Sequence, residues 1–150
     1  MNIKITSEQD AKEICSWKYP NEYSVYNMGT WERVIQENWA IANEEKRQEQ
    51  FRSVYENNKL IGYFRFRDID GIINIGLGMK PELCGQGKGK QFLQCILSTE
   101  ELKNKNIELE VRNFNARAIK SYENVGFKKI KEIEKETLQG KDLFIIMRNF

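Results

Sequence analysis

The stretch I-G-L-G-M-K-P-E-L-C-G-Q-G-K-G-K-Q-F, Ile75 to Phe92, decides how this chain is read. It opens as a strand carrying Gly76 and Gly78, breaks at Pro81-Glu82, and then alternates Gly85, Gly87 and Gly89 with Gln86, Lys88 and Lys90. An apolar helical pattern starts at Phe92 and Leu93. A glycine-rich turn between a strand and a helix leaves bare backbone N–H groups at the helix N-terminus, where the helix dipole favours an anion. The stretch therefore reads as a phosphate cradle. Two commoner cradles fail on spacing. A Walker A loop, G-x-x-x-x-G-K-[ST], finds Glu82 or Cys84 where its first glycine belongs and Gln91 after Lys90. A dinucleotide fingerprint, G-x-G-x-x-G, meets Lys90 when started from Gly85 and Pro81 when started from Gly76.

Outward from that loop the chain alternates strands and helices. Residues 2–6 alternate as a short strand, and Ser7 caps a first helix with Asp10 at the reciprocal capping position, where Glu or Gln is more usual. The aromatic segment Trp17–Met28, broken by Pro20, reads as an ordered loop that packs as a small satellite core or walls a substrate site. Thr30 caps a second helix with Trp31, Ile35, Trp39 and Ala42 near four-residue spacing, its tail E-E-K-R-Q-E-Q reading as a solvated face. A meander follows: Phe51–Tyr55, Leu60–Ile69 and Ile72–Met79, with turns at Glu56–Lys59 and Asp70-Gly71. After the glycine loop come a helix with Phe92, Leu93, Ile96 and Leu97 as its buried stripe, a strand at Ile107–Arg112, and a helix at Asn115–Asn124 ended by Gly126. Strands at Phe127–Ile133 and Leu143–Met147 close the chain. The order is strand, two helices, three strands, helix, strand, helix, two strands: one α/β domain over residues 1–150 on a mixed sheet.

Composition narrows the chemistry. The chain of 150 residues is 40% apolar and 31% charged, with a net charge of +2, too small to argue for nucleic acid. No stretch approaches membrane-spanning length and no secretory signal is visible, so a cytoplasmic protein without a membrane partner is expected. Three cysteines, Cys15, Cys84 and Cys95, form no C-x-x-C pair and favour reduced thiols. The absence of histidine removes Ser-His-Asp and Cys-His nucleophile systems and any histidine zinc site. Carboxylates, tyrosine, lysine, a thiol or the backbone must do the work, and no metal is expected.

The run L-E-V-R-N-F-N-A-R-A-I-K-S-Y-E-N-V-G-F, Leu109–Phe127, resembles the GNAT superfamily of acyl-CoA-dependent N-acetyltransferases, and in particular the branch that acetylates the N-terminal alanine of ribosomal proteins. The glycine loop with its strand and Pro81-Glu82 looks like that family's pyrophosphate loop, so the resemblance covers nearly the whole chain. It implies a mixed, mostly antiparallel central sheet and acetyl-CoA as co-substrate. It implies that Gly85, Gln86, Gly87, Lys88, Gly89 and Lys90 hold the CoA pyrophosphate, and that Leu77, Gly78 and Met79 pair with the pantetheine arm. A backbone N–H from Met79 or its neighbour would polarise the thioester carbonyl. The resemblance makes Asn115 a hydrogen-bond partner of CoA, Tyr122 the general acid and Glu110 the general base. Read without it, Asn115 is a plain helix cap, Tyr122 a packed core tyrosine and Glu110 a solvated strand carboxylate. One departure stands out. The family's R/Q-x-x-G-x-G pattern has Arg or Gln where this chain has Cys84. The expected activity is direct acetyl transfer from acetyl-CoA to a primary amine, small-molecule or peptide. The alternative is a non-catalytic CoA-binding or sensing module, for which Cys84 speaks.

Overall fold

A computed structural model describes residues 1–150. Seven strands, β1 (Asn2–Ile5), β2 (Phe51–Glu56), β3 (Lys59–Ile69), β4 (Ile72–Met79), β5 (Ile107–Arg112), β6 (Lys128–Thr137) and β7 (Gly140–Arg148), form a sheet in the order β1-β2-β3-β4-β5-β7-β6. The β1/β2, β2/β3, β5/β7 and β6/β7 pairs are antiparallel and β4/β5 is parallel. This is the mixed, mostly antiparallel sheet expected. Five α-helices accompany it: α1 (Glu8–Ser16), α2 (Trp31–Gln36), α3 (Glu44–Gln50), α4 (Gly89–Leu97) and α5 (Ala116–Asn124).

That is one helix more than the sequence pattern suggested, and the reason is local. The expected long second helix stops at Gln36, where Asn38 takes a left-handed φ of 54°. A 3₁₀ turn at Ala40–Ala42 follows, and Asn43 then caps a new helix by accepting the Lys46 N–H at 2.9 Å. The tail is also not purely solvated. Arg47 is buried, its Nη1 donating to the Ile41 carbonyl at 3.0 Å. Within the expected stripe Ile35 is exposed, and Val34 enters the core instead.

The chain forms two compact units, Met1–Arg65 with Leu77–Gln86, and Phe66–Gly76 with Gly87–Phe150. The first packs Ala11, Ile14, Cys15, Trp17, Val34, Ile41, Phe51 and Leu60 together, with Tyr19, Met28, Trp31 and Tyr63 against them. Of the Trp17–Met28 aromatics Trp17 and Tyr19 thus join a core, while Asn21–Tyr26 coils into a 3₁₀ helix with no buried residue. The reason for Asp10, in place of Glu, at the α1 capping box is visible here. Its carboxylate accepts the Ser7 N–H at 3.3 Å and the Ser53 hydroxyl at 2.9 Å, and also the Tyr55 hydroxyl, so one short side chain ties α1 to β2. The β2–β3 turn places Asn57 and Asn58 at φ 53° and 62°, the paired left-handed geometry that two-residue hairpins need.

The second unit is built on β5. Ile107, Leu109 and Val111 are buried, while Glu108, Glu110 and Arg112 share the opposite face, as strand alternation requires. Phe92, Leu93 and Ile96 of α4 join Leu102, Phe127, Ile145 and Met147 in its apolar interior. The β6–β7 hairpin is longer than the sequence suggested. Nearly every residue of β6 is exposed, and its alternating Lys and Glu give the edge strand a charged rim.

Candidate active site

In the first unit the candidate residues lie at the end of β4. Gly78 is closely packed: a Cβ there would sit 2.7 Å from Cε1 of Tyr63, whose ring also lies 6.2 Å from that of Trp17. The peptide that follows Met79 is held at both of its polar groups. Its N–H, that of Lys80, donates to the Ile61 carbonyl at 2.8 Å, and its C=O, that of Met79, accepts the Tyr19 hydroxyl at 2.7 Å. Successive N–H groups of a strand point to opposite edges. With the Lys80 N–H aimed at β3, the Met79 N–H points to the other edge.

Cys84, where the family pattern has Arg or Gln, sits in the same place. Its Sγ lies 3.6 Å from both the Met79 and Lys80 carbonyl oxygens, so the thiol turns toward the β4 terminus. Three phenols of this unit resist ionisation. Burial, with Tyr63, Cys84 and Glu82 adding, pushes the Tyr19 hydroxyl far above the ordinary tyrosine range. Tyr63 is pushed up to about 12 by burial and then by Cys15. Tyr55 is pushed up to about 12 by burial and then by its bond to Asp10. Tyr19 therefore stays a neutral donor at any physiological pH. Burial also raises the Cys15 thiol, as expected of an inert core cysteine.

The glycine loop runs from the first unit into the second between Gln86 and Gly87. Gly85 and Gly87 have φ of 76° and 79°, angles that side-chain-bearing residues rarely adopt. A Cβ at Gly87 would meet nothing within 4 Å, so the backbone angle alone calls for glycine there. The helix α4 starts at Gly89, three residues before the apolar pattern, and no side chain caps it at Lys88. Its first N–H groups have no intrahelical acceptor.

In the second unit β4 and β5 pair at Ile73↔Ile107, Asn74↔Glu108 and Ile75↔Leu109. Glu110, one step further along β5, pairs with Ile146 of β7 on its other side. Its Oε2 accepts Lys135 Nζ at 2.6 Å, and that ammonium lies 4.6 Å over the Phe144 ring. The Glu110 side chain is 40% exposed, so water reaches it. Arg148 on Glu108 at 2.7 Å and Arg112 on Asp142 at 2.9 Å add two more ion pairs in this unit. Asn115 is buried and caps α5, its Oδ1 accepting the Ala118 N–H at 3.1 Å. Tyr122 lies on the last turn of α5, edge-on to Phe127 at 6.1 Å between centroids. Asn115 thus carries out the plain capping role that its position allowed.

The sequence did not single out Tyr19 or Tyr63. For Tyr19 the only signal was the density of aromatics between Trp17 and Met28, and for Tyr63 there was none; nothing in spacing says which ring meets β4.

The chain is thus an α/β protein with a glycine-rich loop between a strand and a helix. A sequence model of the acetyltransferase (GNAT) family matches residues 11–127. The chain belongs to this family, whose members are acetyl-CoA-dependent acyltransferases. No curated protein sequence matches it significantly. Similar solved structures include the ribosomal-protein alanine N-acetyltransferase of Escherichia coli, at 20% identity and TM-score 0.67, covering 98% of this chain and 91% of that one. Another is yncA, a putative acetyltransferase from Salmonella typhimurium with acetyl-CoA, at 19% identity and TM-score 0.70, covering 98% and 91%. A third is a spermidine N-acetyltransferase chimera from Vibrio cholerae and hSSAT, at 18% identity and TM-score 0.76, covering 98% and 93%. At these identities the likeness speaks for the fold. No helix is long and apolar enough to cross a membrane.

Proposed function

We propose that this chain transfers an acetyl group from acetyl-CoA to a primary amine by direct attack, residues 1–150 acting as one catalytic domain. Bound acetyl-CoA supplies the activated acetyl thioester. The observation that carries the reading is the loop Gly85–Lys90, with two left-handed glycines leading into a helix end that no side chain caps. Its N–H groups suit a pyrophosphate, and Gln86, Lys88 and Lys90 add donors and charge.

The backbone of Leu77, Gly78 and Met79 pairs with the pantetheine arm, and the Met79 N–H polarises the thioester carbonyl. Asn115 contributes a hydrogen bond to CoA while its Oδ1 holds the α5 cap. Glu110 takes the proton that the amine must lose before it can attack, directly or through a water. The Lys135 ammonium now on Glu110 marks a place that accommodates a cation, which is how an amine substrate arrives. Tyr122 returns a proton to the departing sulfur. Several similar structures acetylate amines, among them a spermidine N-acetyltransferase chimera and a ribosomal-protein alanine N-acetyltransferase, which supports an amine acceptor here.

The test is release of free thiol from acetyl-CoA by the purified protein across a panel of amines. Amine-dependent release is expected, and the double variant Glu110→Ala/Tyr122→Phe should lose it. Thiol release unaltered in that variant would remove both residues from their roles, and no CoA binding by calorimetry would leave the acetyl-transfer reading without its cofactor.

A further inference from the structure

The segment Trp17–Met28 is more than a lining for the core. The Tyr19 backbone N–H donates to Asn27 Oδ1 at 2.7 Å, and its ring packs edge-on to Tyr26 with centroids 6.4 Å apart. The loop is thus closed on itself, and one polar group, the Tyr19 hydroxyl, is spent on the end of β4 sixty residues away. It donates to the Met79 carbonyl at 2.7 Å. The same peptide is fixed at its other end by Ile61, the Cys84 thiol turns to the same oxygen, and the Tyr63 ring closes over Gly78 just before it.

A backbone N–H stabilises developing charge only if it already points where the charge will form. Strand geometry alone fixes the direction of the Met79 N–H poorly, because β4 ends at this residue. Clamping the following peptide at both N–H and C=O fixes the ψ of Met79 and with it the plane from which its own N–H projects. We propose that Tyr19 is a positioning residue for acetyl transfer: its hydroxyl, through the Met79 carbonyl, holds the Met79 N–H in the direction that polarises the thioester carbonyl. This rests on the acetyl-transfer reading above. Cys84 belongs to the same device, giving the departure from the family's loop pattern a place at the β4 terminus.

The decisive variant is Tyr19→Phe, which keeps the ring and removes only the hydroxyl. The expected result is a fall in kcat of about tenfold, the order of loss when a preorganised donor is loosened without being removed. The KM for acetyl-CoA and the Kd for CoA by calorimetry should stay within about twofold, because the pyrophosphate loop is untouched. Placing p-aminophenylalanine at position 19 restores a donor at the same ring position and should return most of kcat, whereas p-methylphenylalanine, which fills the space without a donor, should not. If Tyr19→Phe does not fold, these two variants carry the comparison between them. Unchanged kcat in Tyr19→Phe, equal rates for the two unnatural variants, or a loss confined to CoA binding would each overturn the inference while leaving acetyl transfer standing. A wild-type chain that binds CoA and releases no thiol with any amine would overturn the acetyl-transfer reading, and this inference with it.

Discussion

The end of β4 and the outer face of β5 are held by different forces. At β4 the groups that matter are main-chain atoms, fixed by the half-buried side chains of Tyr19, Tyr63 and Cys84. Along β5 the groups are side chains, Glu108, Glu110 and Arg112, each held by an opposite charge from β6 or β7 and open to solvent in part. Neutral buried donors give a geometry that does not change with pH or salt over the physiological range. Partly exposed ion pairs are worth roughly 0–1 kcal/mol each, weaken with salt, and can exchange partners. The contrast matches the proposed chemistry: the carbonyl-polarising edge must be preorganised, while the group that receives a proton from an arriving cation must be able to let Lys135 go.

The comparison can be broken most sharply at Gly78. Gly78→Val forces a branched side chain into the Tyr63 ring, and we expect a loss of about 1–3 kcal/mol of stability by denaturant unfolding, with thiol release abolished. An unaltered unfolding midpoint would mean that the ring yields and the β4 end is softer than described. Tyr122→Phe should lower kcat by about a hundredfold with little change in stability, as for loss of one acid–base partner. A rate within twofold of wild type would return Tyr122 to a packing role beside Phe127. Next comes Asn115→Ala, which removes the α5 cap and should cost about 1 kcal/mol by thermal or denaturant unfolding.

The pH response separates the two regions without mutation. Tyr55 and Tyr63 are raised in the folded state from 10.0 to about 12, and Tyr19 further. A folded-state pKa raised above the unfolded one gives stability that is complete below about pH 10 and lost as pH rises through about 12. Hydrogen exchange should therefore show β2, β3 and the β4 end opening first in that alkaline window. Uniform opening, or earlier loss at β5 and β7, would contradict the assignment of buried phenols to the first unit. The smallest effect belongs to salt. Raising ionic strength should leave the β4 amides unchanged and loosen the Glu110–Lys135 pair, read by the Lys135 ammonium resonance.

Much of this was legible in residues alone. The glycine alternation, the capping residues Ser7 and Thr30 and the succession of the seven strands come from local rules of period and cap. What was not legible depends on long-range contacts. The break in the second helix turns on Asn38 adopting a left-handed angle, which Asn permits without requiring. Arg47 looked solvated because its neighbours are charged, yet it is buried and its guanidinium donates to the Ile41 carbonyl. The partner of Tyr19 lies sixty residues away on a strand end, beyond the reach of any spacing argument.

The most direct test of the central claim is mass spectrometry of a mixed amine pool incubated with the protein and acetyl-CoA labelled in its acetyl group. The account predicts that label appears on a primary amine, in step with free thiol, and that Tyr122→Phe suppresses both together. Label recovered only as free acetate, or retained entirely on CoA despite CoA binding, would contradict it.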